Sequence, residues 1–387
     1  MQEVQQRNDA VCNKMTRIKI LHMPVRNAKG GITQYALCNW KHIDKSRFLF
    51  DWVTLDKELS FEPELIKQGC QIHHLSCRQE KDEAKFRVEM EAILANNYDA
   101  IHLHTSFWRG FLAEELAVRA GESRIIVHAH STGIDVADAA ERAKLLAAHN
   151  IWKARFRPEL ATHFTACSHP AAEFLFGPQI SKDRVIILKN AIDTVKFAFN
   201  EKKRSAIRSQ MCLDDKFIVL QPARLEYQKN HSFTLGVFSE ASKIIPNAVL
   251  LLAGDGNLRA ALEKETKDLG IADRVHFLGF RDDIPEFLQV ADLLVLPSRF
   301  EGLGIAAIEA QCSGVWCLLS EYIPKEAVVT DNAVRLPLDE TVWREAIIRL
   351  ALEGYERRDR SADIAAAGYS LKEQIKVLEK IYAGEIN

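Results

Sequence analysis

Apolar and polar positions along this chain alternate on two scales. Short continuous apolar runs recur, and between them lie longer segments whose apolar residues return at helical spacing. One set of runs is Ile18–Met23, Phe48–Thr54, Ala100–His104, Arg124–His128, His163–Ala166 and Val185–Leu188. A second is Phe217–Gln221, Ala248–Ala253, Val275–Leu278, Leu293–Leu296 and Trp316–Ser320. Runs of this kind, continuous rather than alternating residue by residue, mark strands covered by helices on both faces. Strand and helix in alternation predict an α/β fold with two parallel sheets, each doubly wound.

The charged stretch Glu201-Lys-Lys-Arg204 separates the two sets. The expected organisation is therefore a flexible leader over residues 1–15, a Rossmann-like domain over 16–195, a second over 196–368 and a closing segment over 369–387. In that last segment Leu371, Ile375, Leu378 and Ile381 keep helical spacing, which suits a helix packing back on the first domain. The leader is polar and lacks the apolar middle of a signal peptide.

Composition changes this picture little. At 47% hydrophobic and 27% charged the chain is ordinary for a globular protein, and a net charge of −2 argues against bulk binding to nucleic acid. No apolar run approaches the roughly 18 residues a membrane span needs. Eight cysteines without a C-x-x-C pair read as reduced thiols of a cytoplasmic protein rather than a disulfide or zinc framework.

Candidate chemistry gathers where the strands end, which is where open parallel sheets bind ligands. Glu301-Gly-Leu-Gly-Ile-Ala-Ala-Ile-Glu309 follows an apolar run and opens a helix, so two carboxylates bracket a junction with free amides and a positive helix end. Such a junction suits a nucleotide phosphate, and the carboxylates suit sugar or ribose hydroxyls. Arg224 and Lys229, after the first run of the second set, suit a diphosphate: one by its planar fork, the other as a point charge. Gly30-Gly31 follows the first run of all and lets backbone approach an anion. His102/His104 and His128/His130 alternate along two strands, so each pair shares a side. No carboxylate or cysteine accompanies them, which disfavours a metal; His102 and His128 suit the core, while His104 and His130 suit hydroxyls.

With these residues in place the chain resembles the retaining glycosyltransferases of family GT4, from about residue 16 to the C-terminus. The segments Lys189-Asn-Ala-Ile-Asp193, Leu252-Ala-Gly-Asp-Gly256 and Phe277-Leu-Gly-Phe-Arg-Asp282 share in it. The resemblance implies the GT-B fold, two Rossmann-like domains facing across a cleft, and an enzyme of bacterial capsular or exopolysaccharide synthesis. It implies a UDP- or GDP-sugar donor held by Gly30, Gly31, Arg224, Lys229, Phe280, Arg281, Glu301, Leu303, Gly304, Ile305 and Glu309. Glu301, His130, Arg224 and Lys229 would serve the transfer, and His104, Ser131 and Thr132 would meet the acceptor, a glycan or lipid-linked saccharide. No cofactor and no metal are implied, since the two cations would do a metal's electrostatic work. Ala191, Ala223 and Trp316 depart from the family's usual Gly, Gly and Pro without removing a chemical group.

Two other readings use the same architecture. A sugar-nucleotide 2-epimerase would need a different acid–base set, and a non-catalytic sugar receptor would not need the phosphate-suited cations. The segment Ala139–Leu160 carries Arg142, Lys144, Lys153, Arg155 and Arg157 among Leu146, Ile151, Trp152 and Phe156. It suits reversible contact with the inner membrane face as well as it suits an ordinary helix with a solvated basic side.

Overall fold

The computed structural model describes residues 17–27 and 30–386; the expected leader lies outside them. The first sheet has seven strands: β1 Ile18–Val25, β2 Phe48–Thr54, β3 Ile72–His74, β4 Ala100–Thr105, β5 Ile125–Ala129, β6 His163–Ala166 and β7 Val185–Ile187. They lie in the order β3-β2-β1-β4-β5-β6-β7. The second sheet has six: β8 Phe217–Pro222, β9 Ala248–Ala253, β10 Val275–Gly279, β11 Leu293–Leu296, β12 Trp316–Ser320 and β13 Ala333–Leu336, in the order β10-β9-β8-β11-β12-β13. Every pairing in both sheets is parallel.

The apolar runs thus become the strands expected of them, since β9 is buried along its whole length and β11 likewise. β3 and β13 have no counterpart among the sequence-based runs. Both are edge strands, with Ile-His-His and Ala-Val-Arg-Leu in place of an unbroken apolar stretch. β7 and β10 are edge strands as well, yet β7 keeps the unbroken run Val-Ile-Ile; β3 and β13 are missed because polar residues interrupt theirs.

In each sheet the strand order reverses once, between β1 and β4 and between β8 and β11. Loops leaving the carboxyl ends of such a pair diverge and leave a crevice. The chain crosses from one sheet to the other between Ile187 and Phe217. It returns at its end, where helix α5, Leu371–Ala383, buries Leu371, Ile375, Leu378, Ile381 and Tyr382 in the core of the first sheet with Ile20, Phe48 and Phe50. The helices that bear on the site are α1 Gly31–His42, α2 Ala139–Arg155, α3 His231–Ser242 and α4 Ile305–Cys312.

Candidate active site

Two loops of the second sheet flank its switch point. One leaves β8 and carries Arg224 and Lys229; the other leaves β11 and carries Glu301. The first is pinned from below: Gly254 lies so close to the Ala223 carbonyl that any Cβ there would collide with it. It ends in a turn of 3-10 helix, Tyr227–Lys229, and at Asn230 in the left-handed region (φ 56°), a conformation Asn tolerates. Asn230 is fixed in turn, donating to the Pro297 carbonyl at 3.1 Å and accepting from Arg299 at 2.7 Å.

The two loops meet at Glu301, which is 6% exposed. Lys229 Nζ lies 2.5 Å from Glu301 Oε1, and Gln228 Nε2 donates to Oε2 at 3.2 Å and to the Phe300 carbonyl at 2.9 Å. A carboxylate this enclosed needs such partners to offset its lost hydration. Beyond it Gly304, at φ 88°, turns the chain into α4, leaving the amides at the start of that helix without an internal partner. Leu303 buries its side chain, so its backbone alone is offered, and Ile305 is half-buried.

One helical turn further, Glu309 is half-buried and its carboxylate has no side-chain hydrogen bond among the described residues. Burial pushes its pKa up to about 7, against a small opposing pull from Lys196. A carboxyl group poised this way can both donate and accept. Phe280, 49% exposed, and Arg281 follow β10 further along the same face, Arg281 paired with Asp283 at 2.5 Å.

The first sheet closes the crevice from the other side. α1 begins at Gly31, its Gly30 cap making no side-chain bond, and a Cβ on Gly30 would lie 3.8 Å from Arg224 Nε. Among the described residues nothing lies within 4 Å of where a Cβ on Gly31 would sit. The start of one helix thus faces the guanidinium of the other sheet. The loop after β5 makes the direct contacts. Thr132 Oγ1 donates to the Glu301 carbonyl at 2.9 Å, and Asp135 accepts from Arg224 at 3.1 Å and from the Gln228 amide at 3.0 Å. Gly302 lies against the His130 carbonyl and Cys167, and Ser168 Oγ donates to the Gly302 carbonyl. His130 is therefore held beside the Glu301 loop, its imidazole kept neutral by burial with a pKa near 3.

Arg224, Lys229, Glu301, Gly30 and His130 thus converge on one crevice between the sheets, with Gly31, Gly304 and Glu309 adjoining. The three residues assigned to the acceptor from sequence have other contacts here. His104 is 3% exposed, and its two ring nitrogens bond His22 and His130, so it supports His130 and does not face the cleft. Ser131 and Thr132 spend their hydroxyls on the Gly133 and Glu301 carbonyls, which makes them parts of the loop that joins the sheets. His128 is a core histidine, though one ring nitrogen lacks a partner.

Sequence reasoning missed Asp135, Gln228 and His22. Gln228 had an available signal, standing next to Lys229. Asp135 had none, because its value lies in reaching across to the other sheet.

The membrane-suited helix also changes. α2 spans Ala139–Arg155 and buries only His149, but Phe156 packs into the core and Trp152 sits edge-on to Phe111 at 5.3 Å. Arg142 donates to the Val136 and Ala137 carbonyls. What remains outward is Leu146 and Ile151 with Lys144 and Arg155. Among the described residues no helix is long and apolar enough to cross a membrane.

Two doubly wound sheets meeting at their carboxyl ends, with cations and buried carboxylates at the switch point of one and a bare helix start from the other, define a glycosyltransferase of GT-B fold. The chain belongs to the group 1 glycosyltransferases, the GT4 type. Residues 203–369 match the family described as Glycosyl transferases group 1. A putative glycosyltransferase, EpsF of Bacillus subtilis, is 30% identical over 375 residues, 94% of this chain and 96% of that protein. A UDP-Gal:alpha-D-GlcNAc-diphosphoundecaprenol alpha-1,3-galactosyltransferase of Escherichia coli is 25% identical over 82% of this chain and 83% of its own. A crystal structure of Anabaena HepE in complex with UDP and glucose aligns with TM-score 0.74 at 16% identity, over 95% of this chain and 100% of that one. The last is a likeness of fold. The epimerase and receptor readings fall away with the family.

Proposed function

We propose that the chain transfers a hexosyl unit from a nucleoside-diphosphate sugar to a glycan or lipid-linked saccharide, with retention at the anomeric carbon, in surface polysaccharide synthesis. The observation that carries this reading is the meeting of Arg224, Lys229 and Glu301 at the β8/β11 switch point, opposite the start of α1. A diphosphate between the two helix starts takes the guanidinium and the ammonium, whose attraction grows as the leaving diphosphate gains charge. Each bond to a charged group is worth roughly 1.5–3 kcal/mol net. Glu309 suits the ribose hydroxyls, Phe280 and Arg281 border the base, and Glu301 and His130 hold the sugar.

The anomeric carbon–oxygen bond to the diphosphate breaks as the acceptor oxygen bonds the same face of that carbon. The acceptor proton passes to the departing phosphate oxygen, so no protein nucleophile is needed. Metal-independence and a lipid-linked acceptor belong to the proposal. The E. coli relative, whose name gives a UDP-galactose donor and a diphosphoundecaprenol-linked acceptor, supports the second. Leu146 and Ile151 with Lys144 and Arg155 offer a small outward patch for reversible contact at the inner membrane face.

The test is a panel of UDP-, GDP- and ADP-sugars scored by ligand-induced stabilisation, which grows with ligand concentration over Kd. One nucleotide series should stabilise the protein, and its sugar should appear on an added acceptor. Stabilisation by free sugar alone would sink the reading.

A further inference from the structure

Five imidazoles stack beneath the sugar side of the crevice: His22 on β1, His102 and His104 on β4, His128 on β5 and His130 just after it. Neighbouring ring centroids lie between 4.1 and 5.3 Å apart. They form a single file of hydrogen bonds. His130 Nε2 meets His104 Nδ1 at 3.0 Å, His104 Nε2 meets His22 Nδ1 at 3.0 Å, and His22 Nε2 meets the Tyr382 hydroxyl at 3.3 Å. The hydroxyl meets His102 Nδ1 at 2.7 Å, and His102 Nε2 meets His128 Nδ1 at 3.1 Å.

Burial lowers the pKa of all five rings, so each is neutral and carries one N–H. Each ring has one N–H, and the fully buried Tyr382 hydroxyl has only His22 and His102 as partners, so its O–H donates to one and it accepts from the other; every bond in the file then points the same way. The inner end decides the sense. His128 Nε2 is buried without a partner, and the Tyr35 ring, T-shaped to His128 at 4.9 Å, offers a π system rather than a lone pair. A buried N–H without an acceptor is rarer and more costly than an unused lone pair. The proton of His128 therefore sits on Nδ1. From there each donor points outward: His128 to His102, His102 to Tyr382, Tyr382 to His22, His22 to His104, His104 to His130. The Nδ1 atom of His130 makes no hydrogen bond among the described residues, so it is the nitrogen left for a ligand.

We infer that this file is a tautomer lock, in which His22, His104 and Tyr382 are positioning residues that keep the His130 proton on Nδ1 and present an N–H to an oxygen of the donor sugar. The inference rests on the proposed function for the identity of that oxygen, but the lock itself is a property of the empty protein. It complements Glu301, which offers the sugar lone pairs where His130 offers a proton. Two trios, His22-His102-His104 and His104-His128-His130, bring their nitrogens near enough to be considered as metal ligands. Their rings argue otherwise. Metal-bound lone pairs lie in the ring planes and must converge, whereas the stacked pairs within these trios are 19–27° from parallel. Contacts of 3.0–3.1 Å also match N–H···N bonds already made.

The full chain labelled with 15N at histidine, without ligand, tests this by long-range proton–nitrogen correlation, the His130 signals assigned by their loss in His130→Asn. The expected spectrum is one neutral tautomer at His130 with the proton on Nδ1. His104→Asn, whose amide can flip, should give a mixture of tautomers and lower kcat several-fold with nucleotide Kd unchanged. The wild-type spectrum alone remains decisive if that variant does not fold. A proton on Nε2, a mixed population in the wild type, or signals that move when zinc sulfate is added would overturn the lock. Calorimetry with UDP and GDP on the same sample keeps the two ideas apart. A nucleotide that does not bind defeats the donor reading and leaves the tautomer standing, and the converse holds.

Discussion

Replacing Lys229 by Met separates two jobs that this side chain performs. In the empty protein it neutralises Glu301, whose carboxylate is 6% exposed and lies 2.5 Å away. In the proposed donor complex it also faces the diphosphate. Removing one partner of a buried pair costs about 3–5 kcal/mol, because the other charge is left enclosed. The Lys229 side chain keeps 18% exposure and Gln228 still donates to Glu301, so the lower end, about 3 kcal/mol, is the expected loss. Glu301→Gln should cost about as much by stranding the ammonium. The double variant should cost about 2 kcal/mol less than the two losses added, since neither charge then lacks its partner. Urea unfolding of the four proteins supplies this cycle. Calorimetric titration with UDP or GDP supplies the second half. Lys229→Met should weaken nucleotide binding about tenfold, one charge-assisted bond of about 1.5 kcal/mol, whereas Glu301→Gln, facing the sugar, should leave it nearly unchanged and reduce transfer. Additive stability losses in the cycle, or an unaltered Kd in Lys229→Met, would refute the reasoning.

Other outcomes can be checked more simply. Gly302→Ala should abolish transfer while each sheet stays folded, because the new methyl meets the His130 carbonyl and forces the joined loops apart; activity near wild type would show that this junction is dispensable. Glu309 holds its proton to about pH 7 when folded and to about 4.5 when unfolded, so between those values the native state binds more protons and stability falls as pH rises. That fall amounts to about 3 kcal/mol, at about 1.4 kcal/mol per pH unit, and Glu309→Gln should remove it, gaining on the wild type between pH 5 and pH 8 in urea midpoints. Parallel curves for the two proteins would place the titration elsewhere.

The central strands were legible because burial on both faces writes an unbroken apolar run, as in Ala248–Ala253; β3 and β13 were not, because His73 and Arg335 break theirs, whereas the edge strand β7 keeps Val-Ile-Ile and was legible. Arg224, Lys229 and Glu301 could be found since each stands a few residues past a strand end, a position with local markers, and Glu309 since it lies in the helix that such a junction opens. Their pairing could not. Asp135 reaches Arg224 across 89 positions of sequence, and Thr132 reaches Glu301 across 169, contacts that no periodicity encodes. The histidines show the same limit from the other side. Spacing placed His102 with His104 and His128 with His130, but only the register of β1 against β4, which sets His22 beside His102, joins the pairs into one file and takes His104 out of the cleft.

Diphosphate recognition by Arg224 and Lys229 is the claim on which the donor site stands, and comparing nucleoside diphosphate with monophosphate of the same base measures it most directly. Calorimetry of the wild type should find the diphosphate of the preferred base bound at least about tenfold more tightly, one charge-assisted bond's worth, and should find that margin shrinking in Arg224→Met. Equal affinity for the two nucleotides in the wild type, with Arg224→Met no different, would contradict it.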